Sequence, residues 1–206
     1  MKTDSIFNST TFADTHVKNI FVAQAERPAM SGEINIAQLT PFQRALIVTD
    51  GTVTRLIEAY TLTPVEVVLL HQAEQTLCTE HIWLELPSGA PVIARQVALQ
   101  TPSIGNETPK TQAYATSLIV PQHLPKGILD GLESDPSGLG GILQNSGLET
   151  RRELLWCCVE TARDLPEAIA HLEGEPLLSR TYRVFANKKP ILLITEKFPL
   201  REEAHL

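Results

Sequence analysis

The stretch Arg180–Pro199 constrains the fold of this chain most. Two runs of strand-forming residues, Thr181–Ala186 and Pro190–Phe198, flank Asn187, Lys188 and Lys189, and Asn187 suits the left-handed geometry of a tight hairpin turn. Ile191–Ile194 is apolar on both faces, which predicts a central strand covered from both sides. Side chains alternate along a strand, so Leu192, Ile194, Glu196 and Phe198 share one face. A carboxylate in an apolar stripe needs a charged or hydrogen-bonding partner. Hairpin register decides that partner: a three-residue turn puts Arg180 opposite Glu196, a two-residue turn puts Arg183 there, and a slip of one residue reverses every side chain. Glu196 is then either half of a structural ion pair or an acid facing a ligand.

A second stripe repeats the pattern. Pro91–Gln100 reads as a strand with Ile93, Arg95, Val97 and Leu99 on one face. A buried guanidinium requires an anion or several acceptors, so Arg95 either binds a carboxylate or pairs with Glu196 or another buried acid. Val65–Gln72 is a further strand, followed by a mixed loop holding Cys78, His81 and Trp83. Gln112–Val120 follows the turn-rich Thr101–Thr111, and its Ala113, Ala115, Ser117 and Ile119 form a face of small residues that leaves room above the sheet.

Helix signals lie on either side of these strands. Thr40-Pro-Phe-Gln43 has an N-cap threonine, a first-position proline and a capping-box glutamine, and Gly51 suits a left-handed cap at the far end. Thr52–Tyr60 starts a second helix, whose first amides are free either for solvent or for a carboxylate. Lys126–Glu133 reads as a short helix or turn. In Ser137-Gly-Leu-Gly-Gly141 the glycines allow close backbone approach and expose the amides of a new helix; with Leu143 in place of a third glycine it is not a dinucleotide fingerprint. Glu149–Arg163 reads as an amphipathic helix with Leu155, Cys158, Val159 and Ala162 inward, the cysteine pair serving packing. Pro166–Leu172 reads as one more short helix. Residues 1–35 form an arm docking through Ile20, Phe21 and Val22, and residues 36–206 form the main domain.

Composition narrows the function. With 206 residues, one domain can bury a substantial core. Net charge is −7, pI is near 5.4, and Lys and Arg are scattered, which argues against nucleic acid or an anionic membrane as partner. No apolar run approaches the length of a spanning helix, and no secretory signal opens the chain. Three cysteines, two adjacent, suit a reducing cytoplasm, which is the expected location. The six histidines lack metal-ligand spacing, and no Ser-His-Asp or P-loop pattern occurs. A metal or nucleotide enzyme is not expected.

The order of motifs carries a resemblance: helix–Thr49-Asp-Gly-Thr52–helix, Arg95-x-Val-x-Leu99, Tyr114-Ala-x-Ser-x-Ile-Val-Pro-x-x-Leu-Pro125, Gly138-Leu-Gly140, Arg180-x-Tyr-Arg-Val184 and Pro190-Ile-Leu-Leu-Ile-Thr-Glu-x-Phe198. Over roughly residues 38–200 this resembles the chorismate lyase (chorismate–pyruvate lyase) family, in its branch divergent from the best-known proteobacterial enzymes. The resemblance implies an α+β fold, a central antiparallel sheet with helices covering a buried ligand cavity. It implies cofactor-independent conversion of chorismate to 4-hydroxybenzoate and pyruvate, feeding quinone head-group synthesis, by a monomer or homodimer. It places the acid that meets the ring hydroxyl on Glu196, an amide meeting the same hydroxyl on Leu139, and an amide near the ring carboxylate on Thr52. The family's carboxylate-gripping arginine aligns with Ser117, so the cation is expected from Arg95, Arg180 or Arg183. Effector domains of bacterial regulators, of the UTRA type, are similar in fold and imply the alternative, a non-catalytic module binding a small aromatic acid. Such regulators carry an N-terminal winged helix, which this sequence is not expected to contain.

Overall fold

A computed structural model describes residue 15 and residues 19–102, 109–134 and 138–200. Six strands form one sheet: β1 (Glu66–Thr76), β2 (Pro91–Thr101), β3 (Lys110–Ile119), β4 (Arg151–Thr161), β5 (Pro176–Ala186) and β6 (Lys189–Pro199), in the order β1-β2-β3-β6-β5-β4 with every pair antiparallel. The apolar run Ile191–Ile194 therefore lies mid-sheet between β3 and β5, covered on both faces.

Four helices close one face: α1 (Pro41–Val48), α2 (Val53–Thr61), α3 (Lys126–Ser134) and α4 (Gly138–Asn145). Ile47, Ile57, Leu132 and Ile142 from these helices join Ile119, Val184, Leu192 and Ile194 from the sheet in one core. The opposite face carries two smaller clusters. Leu84 and Leu86 from the β1–β2 loop pack near Val92 and Val120, and Ile169 from the 3-10 turn Glu167–Leu172 packs on Ala98 and Tyr114.

Local chemistry sets the α1–α2 corner. The Gln43 amide donates to Thr40 Oγ1 at 3.2 Å and the Thr40 amide donates to Gln43 Oε1 at 2.9 Å, completing the expected capping box. The far end differs from expectation. Gly51 does not adopt a left-handed conformation; α1 ends on extended Thr49, whose Oγ1 accepts from the Gly51 amide at 3.3 Å.

The hairpin turn holds only two residues, Asn187 and Lys188, both left-handed with φ of 51° and 65°. Followed alone, that turn would set Ser179 against Glu196, since Ala186 faces Lys189. A bulge between Val184 and Phe185 shifts pairing by one residue, so Arg180 faces Glu196 instead.

The helix expected over 149–163 is absent, and β4 occupies the segment. Leu155, Cys158, Val159 and Ala162 fit a helical period, but a bulge between Leu154 and Trp156 breaks strand alternation and buries Leu154, Leu155, Cys157 and Cys158 alike. The β-prone Trp156, Val159 and Thr161 prevail through pairing with β5. Both faces of β4 are occupied, and its outer edge is covered too. Val22 and Ala23 donate backbone hydrogen bonds to Leu154 and Leu155, and the Gln24 amide side chain both donates to Cys157 O (2.7 Å) and accepts from Cys157 N (2.9 Å). Phe21 is buried in this docking, whereas Ile20 and Val22 face solvent. Most of residues 1–18, residues 103–108 and Ser137 lie outside the described residues.

Candidate active site

Two cross-strand rows form the floor of a chamber between sheet and helices. One runs Val97–Ala115–Glu196–Arg180, the next Arg95–Ser117–Ile194–Tyr182. Small side chains at Ala115 and Ser117 keep the middle of the floor low, and Ser117 Oγ turns to Arg95 O at 3.5 Å. Gly51–Thr54 at the start of α2 and Gly138–Gly140 at the start of α4 form the roof, joined by Leu143.

Glu196 is 8% exposed and three donors converge on it. Arg180 Nε donates to Oε2 at 2.7 Å, Nη2 lies 2.7 Å from the same oxygen without aligned hydrogens, and the Tyr182 hydroxyl donates to Oε1 at 3.2 Å. Arg180 is wholly buried, sends Nη1 to Thr49 O at 2.7 Å, and lies behind the carboxylate, outside the chamber wall. Burial, reinforced by the adjacent Glu196 charge, pushes the Tyr182 phenol far above its ordinary range, so it remains a donor.

Of the residues singled out from sequence, Glu196, Arg95, Ser117, Thr52 and Leu139 all line this chamber. Arg183 does not. It lies on the opposite sheet face, where Nε donates to Glu153 at 2.6 Å and the guanidinium stacks over Phe185 and Trp83. Arg95 is 5% exposed; its Nη1 donates to Gln72 Oε1 and Leu132 O, its Nε has no partner, and burial lowers its pKa. Sequence reasoning gave no role to two wall residues, Tyr182 and Arg152. Arg152 projects from the start of β4 opposite Val184, donates Nη1 to Asp50 O, and buries an unpartnered Nε. Its signal is hidden by the helix reading of residues 149–163, whose period gives Arg152 no place in an apolar stripe.

The roof glycines sit in close contact with their neighbours. Gly138 is left-handed, and a Cβ there would lie 3.1 Å from Val67; a Cβ on Gly140 would meet Thr52 Cγ2 at 3.3 Å. Gly138–Gly141 are the first turn of α4, the new helix start expected there. No side chain caps the start of α2 at Thr52. Among the described residues no group of three His, Cys, Asp or Glu side chains could hold a metal, and no helix is long and apolar enough to cross a membrane.

A family model described as "Chorismate pyruvate-lyase Rv2949c-like" matches residues 47–206, most of the chain. The chain belongs to this family. None of the curated proteins compared matches it. Among solved structures, this chorismate pyruvate-lyase-like chain is similar to the effector domain of PhnF from Mycobacterium smegmatis, with TM-score 0.55 and 14% identity over 73% of this chain and 89% of that one. Gene product SA0254 from Staphylococcus aureus subsp. aureus N315 gives TM-score 0.53 and 12% identity over 73% and 88%. A GntR-family transcriptional regulator from Bacillus cereus gives 0.51 and 12% over 69% and 97%. At these identities the likeness establishes the fold, an antiparallel sheet roofed by helices, which the lyase-like family shares with regulator effector domains.

Proposed function

We propose that this protein is a cofactor-independent chorismate lyase, releasing 4-hydroxybenzoate and pyruvate. The observation that carries the reading is Glu196: a carboxylate on the floor of a largely apolar chamber, held by Arg180 from behind and by the Tyr182 hydroxyl on the same floor, in a chain of the chorismate pyruvate-lyase-like family.

Cleavage of chorismate breaks the C3–O bond, whose electron pair leaves with the enolpyruvyl group. The C4 proton departs, the ring becomes aromatic, and a proton added to the methylene carbon completes pyruvate. Aromatisation supplies much of the driving force, so the protein's work is to hold the side chain in a reactive conformation and exclude water. Glu196 accepts a hydrogen bond from the C4 hydroxyl, and the Leu139 amide donates to the same oxygen. Thr52 offers its amide to a carboxylate at the start of α2, with Ser117 leaving room beneath. Arg180 acts through Glu196, and Arg95 supplies a cation within the chamber.

Purified protein incubated with chorismate should release pyruvate and 4-hydroxybenzoate in equal amounts, and Glu196→Gln should lower kcat. Chorismate bound without turnover would instead make the chain a binding module like the regulator domains that share its fold. The quinone head-group pathway and a cytoplasmic location are the corresponding biological setting of the lyase reading.

A further inference from the structure

Charge in the chamber does not balance. Glu196 is neutralised by Arg180, yet two further guanidinium groups, Arg95 and Arg152, line the same space. Neither lies within ion-pair distance of a carboxylate among the described residues. Each also buries an Nε–H without an acceptor. A buried cation lacking an anion is costly, which describes Arg95, and a second, half-buried guanidinium at the opposite flank of the same cavity points to a ligand with two negative groups.

Strand order locates them. Arg95 rises from β2 and Arg152 from β4, with β3, β6 and β5 between. Arg95 and Glu196 are two strands and two residues apart, roughly 12 Å at the backbone, a gap that two long side chains reduce to the span of one ring. Arg95 is the deeper group. Arg152 also lines a shallow outer cavity with Arg55, Gln144 and Thr150, so it stands at the mouth, on the flank of Tyr182 and Glu196.

We propose that Arg95 and Arg152 read the two carboxylates of the substrate separately: Arg95 holds the ring carboxylate at the deep end, and Arg152 holds the enolpyruvyl carboxylate at the mouth. This rests on the lyase reading, in which the ether carbon adjoins the carbon bearing the hydroxyl at Glu196. It makes the site selective for a dicarboxylate, and after pyruvate departs past Arg152 it leaves Arg95 as the one of the two arginines that still holds the product, a monocarboxylate.

Isothermal calorimetry with two unreactive probes tests it. One is 4-hydroxybenzoate; the other is 3-(1-carboxyvinyloxy)-4-hydroxybenzoate, already aromatic and unable to eliminate. Arg152→Gln should weaken the dicarboxylate roughly 10- to 100-fold and leave 4-hydroxybenzoate within about twofold, while Arg95→Gln should weaken both. Circular dichroism and Tm confirm that each variant is folded; should Arg95→Gln not fold, Arg95→Lys takes its place and should again weaken both probes. Equal loss of both probes in Arg152→Gln, or an unchanged 4-hydroxybenzoate affinity in a folded Arg95 variant, overturns the assignment. Because binding is read without turnover, this pattern in a protein that makes no pyruvate would uphold the two-arginine reading and defeat the lyase.

Discussion

Arg180 and Glu196 face each other across β5 and β6, and the guanidinium that holds the carboxylate at 2.7 Å also reaches Thr49 O at 2.7 Å. One buried side chain thus ties the acid of the chamber floor to the corner from which the roof helix α2 departs. Removing one partner strands a buried charge, so Arg180→Met should cost about 3–5 kcal/mol of stability. The double change Arg180→Met with Glu196→Leu should recover most of that while remaining inactive. Urea unfolding measures both; a double variant no more stable than the single would show that the pair's burial is not the source of the loss.

The Tyr182 phenol is held protonated by burial and by the Glu196 charge, a raised pKa that favours the neutral donor. Its ordinary value is about 10, so a profile of kcat/KM should show no tyrosine limb as pH rises through 10. Tyr182→Phe should destabilise the fold by only about 1 kcal/mol, the net worth of one hydrogen bond, and lower kcat more than it raises KM for chorismate. An alkaline limb near pH 10 that disappears in Tyr182→Phe would contradict the assigned donor.

The floor of this site was legible because strand alternation put Glu196 and Arg95 into apolar stripes, and two side chains of opposite charge in such places have few explanations. Its register was not. A two-residue turn is expected to bring Arg183 to Glu196, yet the observed one would by itself set Ser179 there, and only the bulge at Val184 and Phe185, a balance of cross-strand contacts, delivers Arg180. Arg152 was lost for a related reason. The bulge beside Leu154 erases the period of two in β4 and leaves one that a helix fits equally well, so no stripe marks Arg152 as a wall residue. The capping box at Thr40 depends on four neighbouring residues alone and needed no tertiary knowledge.

Gly140 sits where α4 touches α2. Alanine there gains about 1 kcal/mol of helix propensity, but its Cβ would press on Thr52 Cγ2 at 3.3 Å and move the two roof segments apart. Gly140→Ala should therefore leave Tm nearly unchanged while kcat/KM falls roughly tenfold, since small displacements of positioning groups are expensive. Thr52→Ser removes Cγ2 and keeps the backbone amide, so it should restore activity to the double variant. An additive pair of losses would show that contact between these two residues is not the cause.

On the opposite sheet face, Glu153 provides an acid titration outside the chamber. Burial alone would raise its carboxyl pKa, but hydrogen bonds and charge from Arg183 and Arg151 outweigh that and hold it below the usual value. A carboxylate with a depressed folded-state pKa stabilises fully above its unfolded value of about 4.3, and that stability is lost as pH falls through the lower folded value. Glu153→Gln should accordingly lower Tm at pH 7, with the difference from wild type shrinking below about pH 4 and closing at still lower pH. Chorismate turnover at pH 7 should stay within twofold, because Arg183 and Glu153 lie outside the chamber. A Tm difference that stays constant down to pH 3 would show that lost packing, not the ion pair, sets the contribution of Glu153.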